Sequence, residues 1–144
     1  MNRQVVSLQD GRQLGYQSVG KGTPIVYFHG TASSRLEVQL LKEFAQASNL
    51  QLIGVDRPGY GLSTYKLREN LIAFGGDVSF LLDTLGFDRV GVLGWSGGGV
   101  FALAYLAHYT ERVTYAVVAG TPDLPFDAST GHNTPLSRYI MKIP

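Results

Sequence analysis

Cysteine is absent from the 144 residues, which excludes disulfides, thiol nucleophiles and thiolate-bound metals. An excess of one charge is absent too. Twelve Lys and Arg stand against 11 Asp and Glu, a formal net charge of +1. No basic stripe or acidic tail therefore points to nucleic acid or an anionic membrane as a partner. No apolar run approaches the roughly 20 residues of a membrane span, and Met1-Asn2-Arg3-Gln4 leads into no signal-like stretch. A soluble, cytoplasmic protein is the expectation. No His or carboxylate pair has zinc spacing, so no metal is read. Glycines 94 to 99 have neither a G-K-[ST] ending nor a G-x-G-x-x-G register, so no nucleotide cofactor is read either. What remains is an ordinary globular balance, 44% hydrophobic and 16% charged, at the length of one domain.

Against these absences one segment stands out, Gly94-Trp95-Ser96-Gly97-Gly98, which reads as a nucleophile elbow. An apolar run, Val90-Gly91-Val92-Leu93, enters it, and a second, Val100 to Ala104, leaves it. A serine thus occupies the apex of a strand–turn–helix. Such a turn forces the serine backbone into a strained conformation. The residues two before and two after, Gly94 and Gly98, must be small for strand and helix to approach. The apex hydroxyl then projects above the sheet, and the N–H groups that follow favour negative charge. The plain alternative is a tight turn with no chemistry.

Along the rest of the chain, Val5-Val6-Ser7-Leu8 alternates toward a turn at Asp10-Gly11 and Gln13 to Tyr16 returns, as a hairpin does. Ile25-Val26-Tyr27-Phe28 and Leu52-Ile53-Gly54-Val55 are continuous apolar strands of the buried kind. Between them, Ser34-Arg35-Leu36-Glu37 has the form of a capping box, opening a helix with Leu40, Leu41, Phe44 and Ala45 as apolar positions. A second helix carries Leu71, Phe74, Val78, Leu81, Leu82 and Leu85 on one face. Gly75-Gly76 in its middle should cost it about 1 kcal/mol per glycine. Val90–Leu93, the elbow helix and Val113–Val118 continue the alternation. This pattern predicts an α/β fold of right-handed βαβ units, a mainly parallel sheet with helices on both faces. From Gly120 onward the text is polar and proline-bearing.

Three motifs coincide, each at a strand end: His29-Gly30, then Asp56-Arg57-Pro58-Gly59-Tyr60-Gly61-Leu62-Ser63, then Gly94 to Gly99. Their order and spacing resemble the α/β-hydrolase superfamily, in its esterase-like serine hydrolase branch. The resemblance implies that residues 1–120 are the N-terminal half of an α/β-hydrolase core, strands one to six, lacking the last two strands. It implies that residues 121–144 begin a lid segment, within which the chain stops. It implies cleavage of small carboxylic esters through an acyl-enzyme on Ser96, without a cofactor. The N–H groups of Thr31 and Gly97 become the oxyanion donors, and His29, Gly30, Gly94 and Gly98 support the elbow and its facing loop. Perhydrolases, carbon–carbon bond hydrolases and hydroxynitrile lyases resemble the same motif set.

The base is the gap in this reading. The family order is serine, acid, histidine, with the histidine after the last strand. His108 falls at the far end of the elbow helix, about 15 Å from its start at 1.5 Å per residue, and reads as a helix C-terminal cation. His132 lies in the lid segment. His29 reads as a shaper of its loop rather than a proton carrier. Asp123, beyond strand six, reads as a turn residue before it reads as the acid. Asp56 and Arg57 read as a charge pair bracing their loop, and Asp77 and Asp83 as solvated helix residues. Trp95 and Tyr60 are pocket walls or packing, with neither preferred. The expected partner is a C-terminal hydrolase segment, held as a second chain after cleavage and carrying the acid and histidine. A homodimer closing the open sheet edge is the competing arrangement. A non-catalytic binding module or an inactive fragment is the alternative function.

Overall fold

The computed structural model describes residues 3–67 and 70–121. Six strands form one mixed sheet: β1 (Gln4–Ser7), β2 (Gln13–Gly20), β3 (Thr23–Phe28), β4 (Leu50–Val55), β5 (Val90–Trp95) and β6 (Val113–Ala119). Their spatial order is β1-β2-β4-β3-β5-β6. The hairpin β1–β2 and its junction with β4 are antiparallel, whereas β4, β3, β5 and β6 run parallel. The hairpin loop is longer than a two-residue Asp-Gly turn. Gly11 donates to the Leu8 carbonyl at 3.0 Å, and Leu8 donates to the Arg12 carbonyl at 2.8 Å.

Alternation along β3 divides the core between the two faces of the sheet, as the period of two requires. Val26 and Phe28 join Ile53, Val55 and Val92 against α2 (Leu71–Thr84) and α3 (Gly98–His108). Ile25 and Tyr27 join Val19 and Leu52 against Val38 and Ala45 on the opposite side. Phe28 meets Phe74 edge-on at 6.2 Å between ring centroids, a contact worth about 1 kcal/mol beyond its buried area.

The segment after β3 departs from the expected single helix. Residues Arg35–Leu41 form a 3-10 helix, followed by the short α1 (Lys42–Ala47). Ser34 caps it through a bond from the Leu36 N–H at 3.3 Å. Glu37 does not complete a capping box; its carboxylate turns to the end of β3 instead. Because three residues per turn replace 3.6, the apolar stripe shifts. Val38 and Ala45 are buried, whereas Leu40 and Phe44 are 85% and 61% exposed.

Helix α2 is continuous through Gly75-Gly76, with Asn70 as its N-cap. The reason is tertiary. A Cβ at Gly75 would stand 2.6 Å from the Tyr109 ring, so glycine lets the end of α3 pack close. Asp77 is not solvated but receives a paired bond from Arg12, at 2.6 and 2.8 Å, tying α2 to the hairpin loop. Asp83 is the exposed one, bridged to Arg112 at 2.8 Å. Among the described residues β6 is an outer strand, and Tyr115 and Val117 on it are 43% and 51% exposed. No helix among the described residues is long and apolar enough to cross a membrane.

Candidate active site

The C-terminal ends of β3, β4 and β5 bring the three motifs together. At the end of β5 the chain turns into α3 through Ser96, whose φ of +50° lies in the left-handed region that side chains avoid. Two bonds hold it there. Its N–H donates to the Ala119 carbonyl at 2.8 Å, and its carbonyl accepts from Gly99 at 3.0 Å. The flanking glycines are required by close approach. A Cβ at Gly94 would stand 2.6 Å from Gly99 Cα, and one at Gly98 would collide with the Phe28 carbonyl of β3.

Gly97 faces the loop after β3. A side chain there would collide with Thr31 Oγ1 and would stand 3.4 Å from the Thr31 nitrogen. Neither the Thr31 nor the Gly97 N–H donates to any group among the described residues. Trp95 lies half exposed beside Gly30, 3.3 Å from where a Gly30 Cβ would be. Tyr60 is partly buried, its ring 5.5 Å from the His29 ring.

His29 is fully buried, with Nδ1 2.8 Å from the Gly30 carbonyl and Nε2 without a partner. Burial lowers its pKa, the bond to Gly30 opposing this in part. A neutral ring donating from Nδ1 to its own loop is occupied in shaping that loop. His108 is exposed at the last turn of α3, the end remote from Ser96. His132 and Asp123 lie outside the described residues.

Asp56 and Arg57 do not pair with each other. Asp56, fully buried, accepts from the Arg35 N–H, the Arg35 guanidinium and the Leu62 N–H, each at 2.8 Å. It thus ties the loop after β4 to the loop after β3. Arg57 donates to the Gly30 carbonyl at 3.0 Å and stacks between Tyr60 and Phe101, 4.5 and 5.1 Å from their centroids. Burial lowers its pKa from the usual arginine range. Glu37 accepts from the Gly30 N–H and from the Tyr27 hydroxyl, each at 3.0 Å. Burial, with the neighbouring Glu37 charge, pushes the Tyr27 phenol up. The spacing of Glu37 from Ser34 predicts a capping role, which the structure does not give it. The signal against that was Tyr27 itself, since a tyrosine in a buried strand needs a partner for its hydroxyl. Among the described residues no group of three His, Asp or Glu stands together to hold a metal.

A parallel-centred sheet with a strained serine at a strand–helix junction, set between close-packed glycines, defines a protein with a hydrolase-type nucleophile elbow. The chain belongs to the alpha/beta hydrolase fold family, whose model matches residues 23–139. It is 34% identical over 118 residues to the hydrolase YcgS of Bacillus subtilis (strain 168), covering 78% of this chain and 40% of that protein. It is 31% identical over 119 residues to a non-heme haloperoxidase of Rhodococcus erythropolis, covering 80% and 43%. Among solved structures, the esterase RhEst1 from Rhodococcus sp. ECU1013 superposes with a TM-score of 0.68 at 35% identity, covering 83% and 45%. The chain spans less than half the length of these relatives.

Proposed function

We propose that this chain carries the nucleophile and the oxyanion donors of a serine hydrolase acting on small carboxylic esters. The observation that carries the reading is Ser96 at φ +50°, with Gly97 packed against Thr31 and the N–H groups of both left unengaged among the described residues. Ser96 Oγ attacks the acyl carbon, and the carbonyl oxygen, now negative, is received by those two N–H groups. Collapse expels the alcohol and leaves an ester on Ser96, which water then cleaves. A single donor of this kind contributes about a hundred- to a thousandfold in rate.

Proton transfer needs a base, and the described residues offer none beside Ser96. His29 is buried and committed to Gly30, and His108 is at the wrong end of α3. The histidine and its orienting acid are assigned to residues outside those described, supplied by a C-terminal hydrolase segment. That segment is held as a separate chain after cleavage; a homodimer that closes the open sheet edge, without supplying an acid and histidine, is the competing arrangement. The relatives' printed names, an esterase and a non-heme haloperoxidase, support an acyl-transfer site of this class. Perhydrolysis, with hydrogen peroxide replacing water against the acyl-enzyme, is the second reading that the haloperoxidase favours.

Intact mass measurement before and after a fluorophosphonate probe tests the proposal. A mass gain on the 15.6 kDa chain, mapped to Ser96 and absent from Ser96→Ala, supports it. An unmodified chain beside active ester turnover assigns the chemistry elsewhere. An unmodified chain with no turnover leaves a binding module.

A further inference from the structure

Thr31 can donate to a developing oxyanion only if the peptide joining it to Gly30 faces the correct way. That peptide is planar and trans, so its carbonyl and its N–H point in opposite directions. Glycine offers little steric resistance to a flip of the adjoining peptide planes. The orientation must therefore be held from outside. Three side chains hold it. The Gly30 carbonyl accepts from His29 Nδ1 at 2.8 Å and from the Arg57 guanidinium at 3.0 Å. The Gly30 N–H, belonging to the preceding peptide, donates to Glu37 at 3.0 Å. The carboxylate is fixed in turn by the Tyr27 hydroxyl, also at 3.0 Å.

Arg57 is a costly way to brace a loop unless its charge has a use. It is 8% exposed, forms no ion pair among the described residues, and has a buried Nε without a partner. Asp56, the carboxylate next to it in sequence, is engaged by Arg35 and Leu62. The guanidinium is stacked between two rings and directs one N–H at a single carbonyl. A cation bonded to that carbonyl polarises the peptide and strengthens the N–H at its other end.

We propose that Arg57 and Glu37 are positioning residues that lock the two peptides of Gly30, so that a polarised Thr31 N–H faces the acyl oxygen of a substrate on Ser96. The proposal deepens the serine hydrolase reading and rests on it. It makes Arg57 act through a peptide bond, without touching substrate.

The test compares the native protein, with whatever partner it carries, with Arg57→Met, Arg57→Lys and Glu37→Met. Arg89→Met is the control, since it removes another arginine bonded to a carbonyl, that of Val113 at the opposite end of β6. Turnover of a p-nitrophenyl ester and of its thionoester reports the oxyanion site, because a thiocarbonyl is a poor acceptor there. Arg57→Met and Glu37→Met are expected to lose about 100-fold in kcat with KM little changed, as a misplacement near 1 Å does. The preference for ester over thionoester is expected to shrink with them, to recover in part in Arg57→Lys, and to stay unchanged in Arg89→Met. Amide exchange at Gly30, read in parallel, is expected to quicken in Glu37→Met, which removes the acceptor of both bonds. Equal losses for ester and thionoester, or a Gly30 amide as protected as before, would overturn the proposal. Turnover with an unprotected wild-type Gly30 amide removes the lock and leaves the hydrolase. Protection without turnover or fluorophosphonate labelling removes the hydrolase reading and, with it, the oxyanion role assigned to the lock.

Discussion

Asp56 and Arg35 stand 21 residues apart in sequence and meet in the interior, Nη1 to Oδ2, at 2.8 Å. The pair fastens the loops after β3 and β4 to each other. Asp56 also takes the Leu62 N–H, so one carboxylate organises both loops. Replacing Asp56 by alanine leaves the Arg35 charge buried and three donors unmet. A loss of about 3–5 kcal/mol is expected, measured as a lowered urea midpoint. Asp56→Asn keeps some of these bonds and should lose less.

Ser96 is held against its backbone preference, and glycine would not be. Ser96→Gly should abolish fluorophosphonate labelling while raising stability by about 1 kcal/mol, since the left-handed residue no longer carries a Cβ. Ser96→Ala should abolish labelling with no such gain. The two variants, melted side by side, separate chemistry from strain. Equal melting temperatures would mean that the turn is unstrained.

His29 makes stability depend on pH. Its folded pKa lies below the ordinary 6.5, so the unfolded chain takes up the proton first as the pH falls. The contribution of neutral His29 is complete above about pH 6.5 and diminishes as the pH drops from there toward the folded value. Urea midpoints between about pH 5 and pH 7.5 should decline on the acid side, and less so in His29→Asn. An identical slope in both proteins would assign the decline to other groups.

Gly75→Ala sets helix propensity against packing. Propensity alone predicts a gain of about 1 kcal/mol. The added methyl would stand 2.6 Å from a Tyr109 ring that is stacked on Tyr105 and bonded through its hydroxyl to the Ile72 carbonyl. A net loss of about 1–2 kcal/mol is expected by calorimetry. The same exchange at Gly86, past the end of α2, meets nothing within 4 Å but must adopt φ +80°.

Much of the architecture was legible because each strand is a short apolar run with a turn signal at its end. The elbow was legible because strand, glycine-flanked serine and helix are contiguous in sequence, although only Gly94 is required by near neighbours, Gly97 and Gly98 being required by the loop and strand end at Thr31 and Phe28. What escaped was long-range. Nothing in the text tells Asp56 to choose Arg35 over its neighbour Arg57, or Asp77 to reach back to Arg12. Those choices follow from which loops the sheet order places side by side. Glu37 escaped for another reason. Its spacing from Ser34 satisfies a capping pattern, and only the turn of the 3-10 helix aims it at Gly30. Leu40 and Phe44 were misplaced by the same change of pitch.

The strand order also imposes a schedule on synthesis. β4 lies between β2 and β3 in the sheet but leaves the ribosome after both, so the hairpin cannot join β3 until residue 55 has emerged. His29 and Ser96, at the ends of adjacent strands, are born 67 residues apart, about 3 to 13 s at ~5–20 residues per second. During that interval the apolar edge of β3 that will receive β5 waits uncovered. A nascent chain of this order holds that edge open between those two moments, and translation pauses placed there would lengthen its exposure.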